Sequence, residues 1–154
     1  GYNGLNADIF QDAANKGVNL LFDHANRKGG QNVVLDGTFA YGNWRENVER
    51  SLDHGRTVEI YYLHQDPLVA WDFVQKRQAE HGRAVPVDVF VRSYRQSIEN
   101  VQKAIELFGK NVTVYFAKNN YMKTVESIAV DVYNIEKLLG KRYTEDELKE
   151  LLHA

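Results

Sequence analysis

The sequence contains no cysteine and only two prolines. Without cysteine the chain has no disulfide, no thiolate nucleophile and no cysteine-ligated zinc site, a composition that suits a reducing compartment such as the cytoplasm. Long hydrophobic runs are also absent, since none approaches the roughly 20 apolar residues that a membrane-spanning helix needs. We therefore expect a cytoplasmic protein without a membrane partner.

A strong charge of one sign is lacking as well. The 19 Lys and Arg residues nearly balance the 21 Asp and Glu residues, which gives a net charge of -2. No global attraction to nucleic acid follows from this balance, and we expect no nucleic-acid partner. The five histidines show no metal-ligand spacing, and HExxH and GxSxG motifs do not occur, which disfavours a zinc site and a hydrolase serine.

What the chain does contain is the composition of one ordinary domain, with 154 residues of which 44% are hydrophobic. Hydrophobic periodicity predicts helices over residues 6–28, 43–54, 67–80, 87–108 and 124–139, with a short terminal helix after residue 144. Short β-branched or apolar runs predict strands over residues 32–36, 57–63 and 112–117. Alternation of strands and helices predicts an α/β fold with a parallel sheet and helices on both faces.

Local signals mark several helix ends. Asn6 can cap the first helix and the glycines at residues 29–30 can end it, while Gly17 on its buried face predicts close approach of a neighbour. Asp66 can cap the third helix, with Pro67 in its first turn. The Thr-Glu-Asp-Glu run at residues 144–147 is typical of a capping box.

Asp36 and Thr38 form the first candidate site. In a parallel sheet, ligands bind outside the carboxyl ends of the strands, which here are followed by residues 36–38, 64–66 and 118–120. Asp36 follows three aliphatic residues, and its carboxylate could hold Mg²⁺ directly or through water, or accept a proton from a substrate hydroxyl. The alternative is structural, with Asp36 capping the next loop and Thr38 making a turn hydrogen bond.

Arg77 and Arg83 form the second candidate site. Arg77 lies near the end of the third predicted helix, and Arg83 lies in the glycine-containing connector that follows. Guanidinium groups bind phosphate oxygens bidentately and stabilise the charge of phosphoryl transfer, so the two arginines could close over a cleft. The alternative is that both are solvated charges on the helix surface.

These residues, in this order, resemble the zeta toxin family of P-loop kinases. The resemblance rests on Asn-Val-Val-Leu-Asp-Gly-Thr-Phe-Ala at residues 32–40, on Arg77, and on the Arg83-x-x-Pro86 turn, and it extends to Lys118. It implies transfer of phosphate from ATP, with Mg²⁺, to a sugar hydroxyl of UDP-N-acetylglucosamine, and control by a cognate antitoxin protein.

The resemblance also implies a role for each candidate residue. Asp36 matches the acid of the family's acid-Gly-Thr motif, where Glu is usual, and Thr38 matches the threonine on the substrate side. Arg77 and Arg83 match the two lid arginines that contact the ATP phosphates. The family's arginine after the threonine is replaced by Phe39 here, and the first helix offers no Glu at its buried end.

No GxxxxGK[ST] phosphate-binding motif occurs in the sequence. In the family, the strand that carries this motif lies between the strand ending at Asp36 and the strand ending at Leu63. Its absence would leave a gap of about 10 Å, or two interstrand spacings. We therefore expect residues 1–154 to be one kinase domain truncated at the amino terminus, with residues 121–154 as a helical extension.

Three functions remain open from the sequence. The first is a zeta-toxin-type phosphotransferase, inactive or weak as this fragment. The second is a catalytically dead, kinase-like binding module. The third is a kinase for another small-molecule acceptor, which would use the same mechanism with a different pocket.

Overall fold

The structure is a computed structural model of the chain, and it describes residues 7–28, 31–82, 84–119 and 124–153. The helices of this part are α1 (Ala7–Lys28), α2 (Trp44–Asp53), α3 (Pro67–His81), α4 (Val87–Phe108) and α5 (Glu145–His153). Its strands are β1 (Val58–His64), β2 (Val112–Asn119) and β3 (Val125–Ala129), with 3₁₀ turns at Gly109–Asn111 and Ile135–Leu138. No helix within these ranges is both long enough and apolar enough to cross a membrane.

The three strands form one small mixed sheet in the order β1-β2-β3. β1 and β2 are parallel, with Val58 opposite Val112 and His64 opposite Lys118. β3 runs antiparallel to β2, with Phe116 opposite Ala129. The predicted parallel arrangement is therefore confirmed for the first two strands, but the sheet as a whole is mixed because the chain returns beside β2 after a short connection.

The hydrophobic core lies between α4 and one face of the sheet. Its members include Ile60 of β1, Val114 and Phe116 of β2, and Val101 and Ala104 of α4. Val114 and Phe116 are two residues apart and so lie on the same face of the sheet. Val101 and Ala104 are three residues apart and so lie on the same face of α4, which packs on that sheet face. Trp44 and Val48 of α2 extend the same core.

The second face of the sheet is largely exposed. Tyr61, Leu63 and Ile128 are 65%, 67% and 69% exposed, and the rings of Tyr61 and Tyr115 stack with centroids 4.5 Å apart. The expected covering of both faces by helices is therefore not found in the part of the chain that is described.

The first helix is confirmed as α1, although the expected caps at Asn6 and residues 29–30 lie outside the described residues. Its carboxyl half contacts α2 through an ion pair between Asp23 and Arg50 and through the buried ring of Phe22. The prediction for Gly17 is wrong, since no described atom lies within 4 Å of the position that its Cβ would take.

The predicted strand at residues 32–36 is wrong. This segment belongs to no strand, and Val34 and Leu35 are 91% and 42% exposed. The apolar run predicts burial and an extended backbone, but a strand also needs a neighbour that accepts and donates hydrogen bonds. No described strand lies beside this segment.

The predicted helix at residues 124–139 is also wrong, because residues 125–129 form β3 and pair with β2. Asp131 then has φ 53, a left-handed conformation that no helix tolerates within it. The chain is held against the sheet by the Val132 amide, which donates to the Val114 carbonyl at 3.1 Å. Only the short 3₁₀ turn Ile135–Leu138 remains of the helical pattern.

Two predicted helix caps are confirmed. The Leu68 amide donates to the Asp66 carboxylate at 2.9 Å, with Pro67 in the first turn of α3. At α5, the Glu147 amide donates to Thr144 Oγ1 at 3.2 Å, and the Thr144 amide donates to Glu147 Oε2 at 2.8 Å. Both caps depend only on residues within one turn, so the sequence is sufficient to predict them.

Candidate active site

A long cleft of about 1020 Å³ lies between residues 32–39 and strand β1, and we refer to it as the β1 cleft. It extends along β1 from Arg56 to Gln65. Its remaining wall residues come mainly from α2 and α4, and include Trp44, Asn47, Val48, Ser51, Phe90, Ser93, Tyr94 and Ser97. The cleft therefore combines an apolar interior with polar groups from several elements.

Asp36 and Thr38 both line the β1 cleft, as expected for a site. Asp36 is exposed, and no hydrogen bond or ion pair to its carboxylate is formed within the described ranges. Thr38 Oγ1 accepts a hydrogen bond from the Ala40 amide at 3.3 Å, which is the turn hydrogen bond of the structural alternative. The Thr38 hydroxyl keeps its proton for a second bond to a ligand.

The loop that carries these two residues is anchored at Phe39. This residue has φ 58, a conformation that costs a non-glycine residue about 1–2 kcal/mol. Its carbonyl accepts a hydrogen bond from Asn100 Nδ2 of α4 at 2.9 Å, and its ring lies 5.4 Å from that of Trp44. These contacts hold the backbone directly after Asp36 and Thr38 in one position.

A group of hydroxyls in the cleft was missed by sequence reasoning. The Ser97 hydroxyl donates to the Tyr94 carbonyl at 2.9 Å, so the Tyr62 hydroxyl is the donor to Ser97 Oγ at 3.2 Å. Burial raises the pKa of both Tyr62 and Tyr94, which keeps their hydroxyls protonated at neutral pH. The sequence of α4 shows only its apolar periodicity. The contact between Tyr62 and Ser97 cannot be predicted from it, because the two residues are 35 positions apart.

Of the two candidate arginines, only Arg77 belongs to the described residues. Arg77 is exposed on the carboxyl half of α3, and it is not among the residues that line the β1 cleft. Arg83 lies outside the described residues. Gly82, which precedes it, has φ 69 and donates its amide to the Gln78 carbonyl at 2.8 Å, so it ends α3 with a turn that glycine adopts without strain.

Among the described residues of the other two strand-end segments, only Gln65 lines the β1 cleft. His64 is only 3% exposed and stacks on Phe116 in the core. Burial lowers its pKa, and the nearby Lys118 lowers it further. Lys118 itself pairs with Glu126 at 3.3 Å, and the expected Asn120 lies outside the described residues.

The described residues do not form a metal site by themselves. No group of three or more His, Asp or Glu side chains in this part of the chain could hold an ion. Glu59, the second carboxylate of the cleft, accepts hydrogen bonds from the hydroxyls of Tyr61 and Tyr115 at 2.9 and 3.2 Å. Asp36 could still be the single protein ligand of Mg²⁺ if water and phosphate oxygens supply the other ligands. Such a ligand set is common for this ion.

The sequence matches the family model of the zeta toxins over residues 2–129. The chain belongs to the zeta toxin family, as the sequence motifs indicate. Membership implies a P-loop kinase fold and suggests a kinase-like, ATP-dependent phosphotransferase activity that uses nucleotide and small-molecule substrates. No curated protein and no solved structure matches the chain significantly.

Proposed function

We propose that this chain forms the acceptor-binding and lid portion of an ATP-dependent phosphotransferase that acts on a sugar hydroxyl of a nucleotide sugar such as UDP-N-acetylglucosamine. The observation that carries the proposal is the position of Asp36 and Thr38 on one anchored loop at a large cleft. The family supports the reaction class, and the protonated hydroxyls of α4 suit a polyhydroxylated acceptor.

Each residue has a distinct part in this proposal. Asp36 positions Mg²⁺ or the acceptor, and Thr38 orients the acceptor by a hydrogen bond. Arg77 and Arg83 approach the nucleotide from α3 and its connector and stabilise the charge on the transferring phosphoryl group. When bound, Mg²⁺ would neutralise phosphate charge, with Asp36 as its one protein ligand in the described cleft.

The phosphate cradle of the kinase is not encoded in residues 1–154, which hold no P-loop motif. We infer that residues 1–154 on their own have little or no phosphotransferase activity, because a kinase of this type needs such a cradle. A cognate antitoxin and a cytoplasmic location belong to the same proposal and rest on the family resemblance.

The test is phosphoryl transfer by the natural protein in which residues 1–154 occur. ATP consumption is measured with UDP-N-acetylglucosamine, with other nucleotide sugars and with unrelated alcohols. Turnover that depends on a nucleotide sugar, and that falls in the Asp36→Asn variant, supports the proposal. If ATP is consumed with an unrelated alcohol but not with any nucleotide sugar, the protein is still a kinase, but its acceptor is not a nucleotide sugar.

A catalytically dead binding module is the second candidate, and absence of a P-loop motif from the full-length protein would favour it. Calorimetric titration of the natural protein with ATP separates the two functions. A kinase binds ATP and consumes it, whereas absence of ATP binding together with absence of turnover assigns the cleft to a binding role.

A further inference from the structure

The segment that follows the family match, residues 130–153, packs along α4. Ile135 and Leu139 belong to the hydrophobic core, and the Ile135 amide donates to Gln102 Oε1 in the carboxyl half of α4 at 3.1 Å. Further along the chain, α5 contacts both α4 and α3, and its Leu148 is fully buried. This segment is therefore part of the folded domain, although it lies beyond residues 2–129.

α5 meets the amino end of α4 through charged side chains. Lys149 Nζ lies 2.9 Å from Asp88 Oδ1 of α4 and 2.8 Å from Glu145 Oε1 of its own helix. Glu145 Oε2 also accepts a hydrogen bond from Arg95 Nη1 of α4 at 2.9 Å. Lys149 lowers the pKa of both Asp88 and Glu145, so both carboxylates stay ionised at neutral pH. A single surface ion pair contributes little to stability, but a network that shares one lysine between two carboxylates holds its members in a defined geometry.

Asp88 lies in a turn of α4 that is not anchored by burial. None of residues 87–90 is buried, and the first buried side chain of the helix is Val91. The Phe90 ring contacts Trp71 of α3, with ring centroids 5.1 Å apart. The ion pair between Asp88 and Lys149 joins the same turn to α5 and so gives it a second support.

The carboxyl half of α3 carries Arg77 and is weakly packed. Residues 75–81 are all exposed, and within this fully described helix Pro67, at its first position, is the one buried residue. Residues 82–86 connect α3 to the first turn of α4. A chain spans at most about 3.5 Å per residue, so this short connector keeps the end of α3 close to that turn. A displacement of the first turn of α4 would therefore move the end of α3 as well.

We propose that Lys149 is a positioning residue for phosphoryl transfer, which holds Asp88 and the first turn of α4 and thereby keeps the end of α3 that carries Arg77 in place. This inference rests on the proposed function, in which Arg77 stabilises the transferring phosphoryl group. It adds a part for α5, which lies outside the family match. Misplacement of a catalytic group by about 1 Å can cost about 100-fold in rate, so a small shift of α3 is enough to matter.

The kinetic test uses the natural full-length protein with ATP and UDP-N-acetylglucosamine. Lys149→Met removes the charge and keeps the length of the side chain, and we expect kcat to fall about tenfold with the KM for the acceptor unchanged. Lys149→Arg keeps a cation beside the two carboxylates and should retain most of kcat. Lys137→Met, at an exposed lysine of the same carboxyl-terminal segment, is the matched control and should turn over like the parent protein.

Asp88→Asn tests whether Lys149 acts through Asp88. This variant should lower kcat by a factor similar to that of Lys149→Met. The double variant should lose no more than the larger of the two single losses, because both changes break the same contact. Losses that multiply in the double variant would show that the two residues act independently, and would overturn the inference.

Hydrogen exchange gives a measurement that does not depend on turnover. The Phe90 amide donates to the Pro86 carbonyl at 3.0 Å in the first turn of α4, and the Gly82 amide donates to the Gln78 carbonyl at 2.8 Å at the end of α3. We expect both amides to exchange about tenfold faster in Lys149→Met than in the parent protein, and at the parent rate in Lys137→Met.

The two measurements separate failure of this inference from failure of the proposed function. If the parent protein transfers phosphate, unchanged kcat in Lys149→Met, or an equal loss in Lys149→Arg, would overturn the inference and leave the proposed function standing. If the parent protein transfers no phosphate, the proposed function fails and hydrogen exchange decides alone. Faster exchange at Phe90 and Gly82 in Lys149→Met would then still support the control of α3 by α5, whereas unchanged exchange would overturn it.

Discussion

Asn100 on α4 fixes the backbone of Phe39 across 61 positions of sequence, with Nδ2 donating to the Phe39 carbonyl at 2.9 Å. The carbonyl lies at the end of the loop that carries Asp36 and Thr38. Helix α4 therefore sets the position of the candidate catalytic loop, although the two segments are far apart in the sequence.

Replacement of Asn100 should therefore weaken the fold. Asn100 is 4% exposed, and Asn100→Leu would leave the Phe39 carbonyl without its donor. We expect the free energy of unfolding to fall by about 1–3 kcal/mol, as measured by urea titration. Gln96→Leu, at an exposed position of the same helix, should change it little. If both variants lose the same free energy of unfolding, the hydrogen bond from Asn100 to Phe39 does not contribute measurably to stability.

The turn after α3 should be most stable with glycine at residue 82. Gly82 has φ 69, so Gly82→Ala should lower the free energy of unfolding by about 1–2 kcal/mol. Gly42 has ordinary backbone angles and open space at its Cβ position, and Gly42→Ala should be neutral or slightly stabilising. Thermal melts of the two variants provide the comparison, and a stable Gly82→Ala protein would contradict the assigned turn geometry.

Stability should decrease as the pH falls through the range in which the unfolded chain protonates His64. Burial lowers the pKa of His64 in the folded state below its usual value of 6.5. The unfolded chain therefore binds the proton first, and the stabilising contribution is complete above pH 6.5 and lost as the pH falls from there towards the folded pKa.

Urea titrations between pH 8 and pH 5 measure this dependence. His64→Phe, which keeps a ring beside Phe116, should reduce the slope, whereas His24→Phe at an exposed site should leave it unchanged. An identical slope in the His64→Phe variant would assign the pH dependence to other groups.

The two arginines should act on turnover in the natural full-length protein. If they stabilise the transferring phosphoryl group, Arg77→Ala or Arg83→Ala should each lower kcat by about 1000-fold. Arg92→Ala, an exposed arginine on α4, serves as the control and should retain kcat. Unchanged turnover in Arg83→Ala would remove that residue from the mechanism.

Asp36 and Thr38 should affect different kinetic constants in the same protein. Asp36→Asn should lower kcat by about 100-fold or more, because an uncharged amide holds Mg²⁺ or the attacking hydroxyl less well than a carboxylate does. Thr38→Ala should mainly raise KM for the acceptor, and Asp53→Asn at an exposed site should change neither constant. A purely structural role for Asp36 would appear as a lower melting temperature without a selective loss of kcat.

The parts of the fold that depend on nearby residues could be predicted from the sequence. Asp66 caps α3 and the Thr144–Glu147 pair caps α5 because donor and acceptor lie within one turn. The failures at residues 32–36 and 124–139 have a different cause. Strand formation is decided by a partner that is remote in sequence, so an apolar or periodic run alone does not determine it.

In the candidate site, too, features set by nearby residues differ from those set by partners remote in the sequence. Asp36 and Thr38 are selected because they follow an apolar run in a family motif; both line the β1 cleft, and their roles stay a prediction. The contacts that support the cleft could not be predicted, since Asn100 bonds to Phe39 and Tyr62 to Ser97 across 61 and 35 positions. The side-chain amide of Asn26 is 4% exposed and has no hydrogen-bond partner among the described residues, and nothing in the sequence marks it as unusual.

The exposed face of the sheet has a consequence for handling the isolated chain. Leu63, Ala117 and Ile128 lie side by side across the three strands, and this apolar row meets the stacked rings of Tyr61 and Tyr115 and the open edge of β1. Such a surface favours self-association, because contact between two of these faces removes apolar side chains from water. The average particle mass measured by light scattering should therefore rise with concentration of the purified chain, and polar substitution of Leu63 and Ile128 should raise its solubility limit.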